Sequence, residues 1–476
     1  MQAVTNFLLP IVQTINAYMS DYILIFLLVG VGLFYTIRTR FVQIRCFGEG
    51  MKSVFGNISL KGGKNKSGLS SFQALATAIA AQVGTGNIVG ACGAILIGGP
   101  GAIFWMWVIA FFGMATIYAE AVLAQETKTV DADGNVQGGP VYYITKAFSG
   151  KFGKFLAGFF AVAIILALGF MGSMVQSNSI SEAISTASSG FIPTWVIGLV
   201  LAALCAFIFI GGIKRIASVA EKIVPIMAVI YLVLGIIVLG VNFAKIPETF
   251  GMIFKYAFMP QAILGGAFGT GIKAAISQGA KRGLFSNEAG MGSTPHAHAQ
   301  ANVKTPHEQG VVAMIGVFID TFVVLTITAL VVISTLYAGN GPLSTAQGLA
   351  DTAINKGNMM QTAMGQIFGS VAGSFLVAVC LTFFAFTTII SWNFFGKLNV
   401  QYLFGKKATI VYSVLAIGFI FLGSLFPNDL VWELADMFNN IMVIPNVIAL
   451  FALSAIVVGA VKSRKAKKAK VEKTEE

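Results

Sequence analysis

Eleven stretches of this 476-residue chain are apolar and long enough to cross roughly 30 Å of hydrocarbon, and no other feature restricts its fold so severely. They fall near 20–37, 69–98, 101–127, 154–187, 191–213, 218–243, 257–281, 308–338, 363–396, 408–426 and 430–461. A backbone N–H or C=O left unpaired in lipid costs several kcal/mol, so such segments must be helices. Only 11% of residues are charged, against about 25% in a soluble domain. The expected class is an all-α polytopic membrane protein. The N-terminus shows neither a basic leader nor a small-residue cleavage site, so its first span reads as retained. Cys46, Cys92, Cys205 and Cys380 have no CxxC spacing, which suggests neither a disulfide framework nor a zinc site.

Charge placement tests the count of spans. With the N-terminus outside, 28 of the 31 Lys and Arg residues fall in inner loops or the C-terminal tail, Lys273 lying within a span. This is the asymmetry of the positive-inside rule, and one missed helix would scramble it. The expectation is a multi-pass plasma-membrane protein with its C-terminus in the cytoplasm. The net charge of +12 is then loop and tail charge near anionic lipid. No nucleic-acid-binding module accompanies it.

One span weakens itself. Residues 80–93 read AAQVGTGNIVGACG, with Gln82, Gly84, Thr85, Gly86 and Asn87 in the middle of an apolar run. Glycine costs about 1 kcal/mol relative to alanine in a helix interior. Unwound backbone is tolerated in a membrane only where protein buries it or it lines a cavity. The bland alternative is close helix packing through small residues. If the helix breaks here, the freed amides of 84–87 form a helix end that favours an anion, and freed carbonyls at 80–83 favour a small cation. The triplet recurs at Gly269-Thr270-Gly271. With the first span set aside as peripheral, the triplets lie in spans one and six of ten. That is the pattern of two five-helix inverted repeats, each opening with a broken helix. The expected domains are 1–68 (peripheral helix and basic loop), 69–243 and 244–461 (the two repeats), and 462–476 (a basic tail).

Three stretches carry a resemblance to a known family: QVGTGNIVG at 82–90, GGPGAIFWMWVIAFFG at 98–113 and RGLFSNEAGMGSTPHAHA at 282–299. GGPVYYI at 138–144 adds to it. The chain resembles the sodium/alanine symporters (alanine or glycine:cation symporters), within the amino acid transporters of leucine-transporter-type five-plus-five fold. The resemblance implies uptake of alanine, and often glycine, coupled to Na⁺ or in some members H⁺, by alternating access and with no organic cofactor. It implies that a substrate carboxylate meets the amides of Gly84, Thr85 and Gly86, and that the amino group meets carbonyls at Gly269 and Thr270. Gln82 and Asn87 are the nearest polar side chains, with interhelical hydrogen bonding as their structural alternative. The Na⁺ site implied is Ala80, Val83, Thr387 and Thr388, although a membrane-helix Thr often bonds only its own i−4 carbonyl. Thr388 also borders the substrate. Trp392, one turn on, is placed to cap the pocket, with Phe170 and Met174 as co-lining candidates.

Intramembrane acids are functional candidates by default. Asp320 suits a proton relay, a gate or a pair with Lys273. Glu120 and Glu126 lie toward the inner half of their span. His296, His298 and His307 read as an inner loop rather than a metal site, and SNEAGMGS before them as part of an inner gate. A channel is the first rival function, but filters are usually symmetric rings of identical loops, whereas the two breaks here are unlike. An enzyme is the second, and GxxxxGK[ST], GxSxG and HExxH are all absent. No obligate protein partner is indicated.

Overall fold

The structure is a computed structural model that describes residues 2–56, 69–259, 271–345 and 353–463. Seven described helices are long and apolar enough to cross a membrane: α1 Thr5–Arg38, α4 Ala102–Thr127, α5 Gly150–Ala187, α7 Arg215–Val241, α11 Pro306–Tyr337, α12 Ser370–Phe404 and α14 Asn428–Ala452. An eighth span is made of two pieces, α2 Ser71–Gln82 and α3 Gly86–Gly98, which meet at 46°. Between these lie shorter helices: α6 Thr194–Ile210 and α13 Ala408–Gly423, both apolar, then α8 Ile246–Phe258, α9 Gly271–Asn287 and α10 Pro295–Ala299.

The sequence explains the punctuation. Ser70 and Gln73 cap α2 reciprocally, each side chain meeting the other's backbone N–H at 3.1 Å. The 35 residues of α12 run unbroken between Gly369 and Gly405, both in the left-handed region that glycine tolerates. α4 is buried along most of its length and packs on α1, α9 and α11, so it serves as a central post. A short hairpin, Thr129–Val130 with Val136–Gln137, follows it and was not foreseen.

The described chain unwinds at a point the repeated triplet did not mark. Gly269 and Thr270 fall outside the described residues. Gly271 opens α9, which then runs regularly to Asn287. At 1.5 Å per residue, Gly271 is about 24 Å along that helix from Asn287. The chain unwinds after Asn287, with Glu288, Gly290 and Gly292 at φ of 59°, 93° and 80°, and restarts at Pro295, a favoured first helical residue. The middle of the span expected at 257–281 lies outside the described residues; α8 ends at Phe258 and is tied to α4 by Trp105, whose indole donates to the Ala257 carbonyl at 3.1 Å. Lys273, Lys281 and Arg282, counted with the loop charges, all sit on α9. Lys281 and Arg282 are buried there and ion-paired with Asp436 at 3.0 Å each.

Candidate functional site at two broken helices

The first break is built from Val83 to Asn87. Val83 leaves helical geometry at φ −79°, ψ 87°, and the chain resumes at Gly86. Side chains take over the donors that the helix end frees. Asn87 Oδ1 accepts from the Gly84 amide at 3.0 Å, and Gln176 Oε1, reaching across from α5, accepts from the Thr85 amide at 3.1 Å. The Gln176 amide nitrogen and the Thr85 hydroxyl are both buried without a partner among the described residues. Two glycines are required by space. A methyl group at Gly84 would lie 2.5 Å from Thr388 Oγ1, and one at Gly86 would lie 3.0 Å from Ser286 Cα. The Gly86 contact brings the start of α3 directly against the end of α9.

The second break is held by a buried carboxyl group. Glu120 on α4 is fully buried and receives the amides of Gly292 at 2.9 Å and Gly290 at 3.1 Å, with Asn446 Nδ2 at 2.6 Å. The left-handed glycines let successive amides converge on one carboxylate, an arrangement suited to anions. Glu288 keeps a positive φ, and its carboxylate receives the Ser293 hydroxyl and the Trp392 indole, each at 2.5 Å.

Asp320 on α11 joins the two breaks. Its Oδ1 accepts from Asn87 Nδ2 at 2.6 Å, and its Oδ2 accepts from Ser286 Oγ and Thr321 Oγ1, both at 2.9 Å. It does not pair with Lys273, which lies at the other end of α9 with its ammonium 4.9 Å from the Tyr22 ring centroid. Gln82 spans the same gap, donating to the Asn287 carbonyl at 2.7 Å. Gln82 and Asn87 are thus both engaged in interhelical bonds.

Three oxygens of α12 and one of α2 cluster beside the first break. Thr388 Oγ1 donates toward Ala80 O at 2.8 Å and Phe384 O at 3.0 Å, and Thr387 Oγ1 reaches the same Phe384 oxygen at 3.0 Å. Thr387 also bonds Phe383 O at 3.0 Å and faces Met227 Sδ at 3.7 Å, so it points partly toward α7. Val83 lies next to this cluster in the chain. The hard oxygens suit a small monovalent cation. Trp392 is buried between the breaks, edge-on to Phe285 at 5.9 Å and against Gly172, where a methyl group would meet its ring at 2.5 Å.

Phe170 and Met174 are not brought to this place. Positions 172 and 176 face the breaks, and residues two apart on a helix lie on nearly opposite faces. Phe170 stacks on Phe419 of α13 at 4.6 Å, and the Met174 backbone lies against Gly423 at the end of α13. Glu126 is exposed at the end of α4. His296 and His298 are buried on α10 instead of forming an open loop, His296 bonding Asn399 and the Ser293 carbonyl. His307 stands apart at the start of α11. Sequence reasoning missed Gln176, Ser286 and the role of Glu120. A lone Gln in an otherwise apolar, serine-rich segment (SMVQSNSIS) was the available signal for Gln176.

Two broken helices crossing at mid-bundle, beside a long helix that contributes hydroxyls, define a secondary transporter of the leucine-transporter-type fold. The crystal structure of MhsT in complex with L-phenylalanine shares that fold with a TM-score of 0.60 over 82% of this chain and 90% of its own, at 15% identity. The model of the sodium:alanine symporter family matches residues 5–476, and the chain belongs to that family. Among its relatives, the sodium/alanine symporter AgcS of Methanococcus maripaludis is 41% identical over 95% of this chain and 96% of its own. The putative sodium/proton-dependent alanine carrier YrbD of Bacillus subtilis is 39% identical (93% and 90%), and the probable sodium/glutamine symporter GlnT of the same organism 38% (95% and 90%). The chain is therefore an amino acid symporter and not an enzyme.

Proposed function

We propose that this symporter couples inward Na⁺ movement to uptake of a small neutral amino acid, alanine and also glycine, by alternating access. The observation that carries the reading is the first break. Its amides are met by the neutral oxygens of Gln176 and Asn87, which a substrate carboxylate can displace, and the Ala80–Phe384–Thr387–Thr388 oxygens lie within one turn of it. The carboxylate is assigned to Gly84, Thr85 and Gly86, with the Gln176 NH₂ as an added donor. The amino group is assigned to the carbonyls at the end of α9, in place of Gly269 and Thr270. Trp392 and Phe285 close the space and limit side-chain size. Na⁺ is assigned to Ala80, Val83, Thr387 and Thr388, supported by the family's name and by the donor set. The N-terminus is assigned to the outside of the plasma membrane, from the loop charges.

The test is uptake of labelled alanine by proteoliposomes under an inward Na⁺ gradient, compared with equimolar K⁺. Na⁺-dependent accumulation that collapses with a sodium ionophore is expected. Stimulation only by an acid-outside gradient would replace Na⁺ with H⁺, and flux that never saturates would point to a channel. Competition by unlabelled glycine, and its absence with glutamine, tests the size limit.

A further inference from the structure

Three side chains that are far apart in sequence and play no part in the transport site converge at the start of α11. Cys46 ends the short helix Val42–Arg45 and precedes the helix Phe47–Phe55, in whose first turn Glu49 lies. His307 occupies the first turn of α11. Its Nε2 is 3.1 Å from Glu49 Oε1, and one ligand atom from each of the three residues lies within 4.8 Å of the others. We propose that Cys46, Glu49 and His307 bind a borderline-soft divalent cation of the zinc type, which fastens the segment after α1 to α11.

The donor set is the first argument. A thiolate, an imidazole and a carboxylate are the three protein ligands that Zn²⁺ takes, and three of them plus a solvent molecule complete a tetrahedron. Bonds of about 2.0–2.3 Å hold such ligand atoms roughly 3.3–3.8 Å apart. The His307–Glu49 separation of 3.1 Å has to open by about 0.2 Å, and Cys46 has to close by about 1.5 Å at most. Cys46 and Glu49 are three residues apart, so both present their side chains toward the same neighbour.

The second argument is orientation. His307 Nδ1 is hydrogen-bonded to Tyr118 Oη at 2.7 Å, and Tyr118 is wedged against Gly310, where a methyl group would lie 2.7 Å from its ring. A metal-bound imidazole usually gives its other nitrogen to such a partner, which fixes ring and tautomer. On binding, the Cys46 thiol releases its proton. The ring takes the tautomer with hydrogen on Nδ1, which then donates to Tyr118 Oη, while the Nε2 lone pair turns to the metal. The third argument is access. Cys46 is fully buried and the His307 side chain only 5% exposed, but that of Glu49 is 33% exposed and gives the ion a way in.

The test uses full-length protein purified in detergent with a non-thiol reductant, stripped of metal, incubated with Zn²⁺ and dialysed, with bound zinc measured by mass spectrometry. Co²⁺ is substituted in parallel to read thiolate ligation by its charge-transfer absorption. One equivalent of zinc and a thiolate band are expected, and both are lost in Cys46→Ser and His307→Gln. Glu49→Gln, at a partly exposed position, lowers affinity at least tenfold and keeps the test usable if a core variant misfolds. Tyr118→Phe lowers it ten- to a hundredfold without removing the band. Equal zinc in wild type and Cys46→Ser, or a thiolate band that survives Cys46→Ser, would overturn the assignment.

Discussion

Replacing Gly84 by alanine asks whether the first break and the cation cluster share one space. The new methyl group would lie 2.5 Å from Thr388 Oγ1 and 3.1 Å from Gln176 Oε1. An ordinary contact needs about 3.4 Å, so the Thr388 hydroxyl must retreat by nearly 1 Å. It is moored to Ala80 O at 2.8 Å and Phe384 O at 3.0 Å, and retreat breaks the Ala80 bond. A lost buried hydrogen bond costs about 1 kcal/mol and overpacking about 1–3 kcal/mol, together roughly 2–4 kcal/mol. If that falls on bound Na⁺, the Na⁺ concentration for half-maximal alanine uptake rises at least tenfold. The assay is uptake into proteoliposomes over a Na⁺ series. Thr388→Ala supplies the control. It removes the hydroxyl and leaves its Cβ 3.3 Å from the new methyl, so Gly84→Ala adds little in that background. The two changes are then strongly non-additive. Normal Na⁺ dependence in Gly84→Ala, or additive effects in the double variant, would refute the shared-space argument.

Thr387 and Thr388 separate by direction: Thr388→Val removes the link to Ala80 and raises the half-saturating Na⁺ concentration more than Thr387→Val, and equal shifts would place both hydroxyls in the same role. Gln176→Leu leaves the Thr85 amide without its acceptor and removes the buried NH₂, so apparent alanine affinity falls about tenfold or more; an unchanged half-saturation for alanine would take Gln176 out of the site. Glu120→Gln replaces the carboxylate that receives Gly290 and Gly292 by an amide able to accept through only one oxygen. A thermal midpoint lowered by a loss of about 2–4 kcal/mol is expected, and an unchanged midpoint in detergent would show that the nest does not depend on charge.

Most of the fold was legible because lipid leaves little choice: apolar runs of sufficient length must be helices, and their limits recur within a few residues in α4, α5, α7 and α11. The first break was legible for the same reason, since polar and glycine residues at mid-span have few uses. The repeated triplet pointed to Gly269 and Thr270, outside the described residues, and gave no signal for the unwinding after Asn287. The residues that unwind α9 are Glu288, Gly290 and Gly292, and alternating left-handed positions leave no signature that a count of triplets can find. Phe170 and Met174 turn on helical phase: choosing between 172 and 176 and 170 and 174 needs the neighbour's position. Glu120 and the Cys46–Glu49–His307 group are long-range juxtapositions, of which one sequence carries no record.

The two breaks differ in a way that supports the proposed orientation of the substrate. Each exposes amides that favour negative charge, so either end is open to a carboxylate on local grounds alone. The second break already holds one. Glu120 receives two of its amides and a further donor from Asn446, so a second carboxylate there would have to displace it from donors it already occupies. The first break holds only side-chain amide oxygens. Displacing Gln176 Oε1 and Asn87 Oδ1 exchanges neutral hydrogen bonds for charge-assisted ones, which are roughly twice as strong. This difference supports the proposed assignment of the substrate carboxylate to Gly84–Gly86. In the proposed orientation its ammonium is assigned to the carbonyls at the end of α9. Asp320, bonded to Asn87 on one side and Ser286 on the other, ties the two broken helices to each other at the place where the proposed substrate would lie.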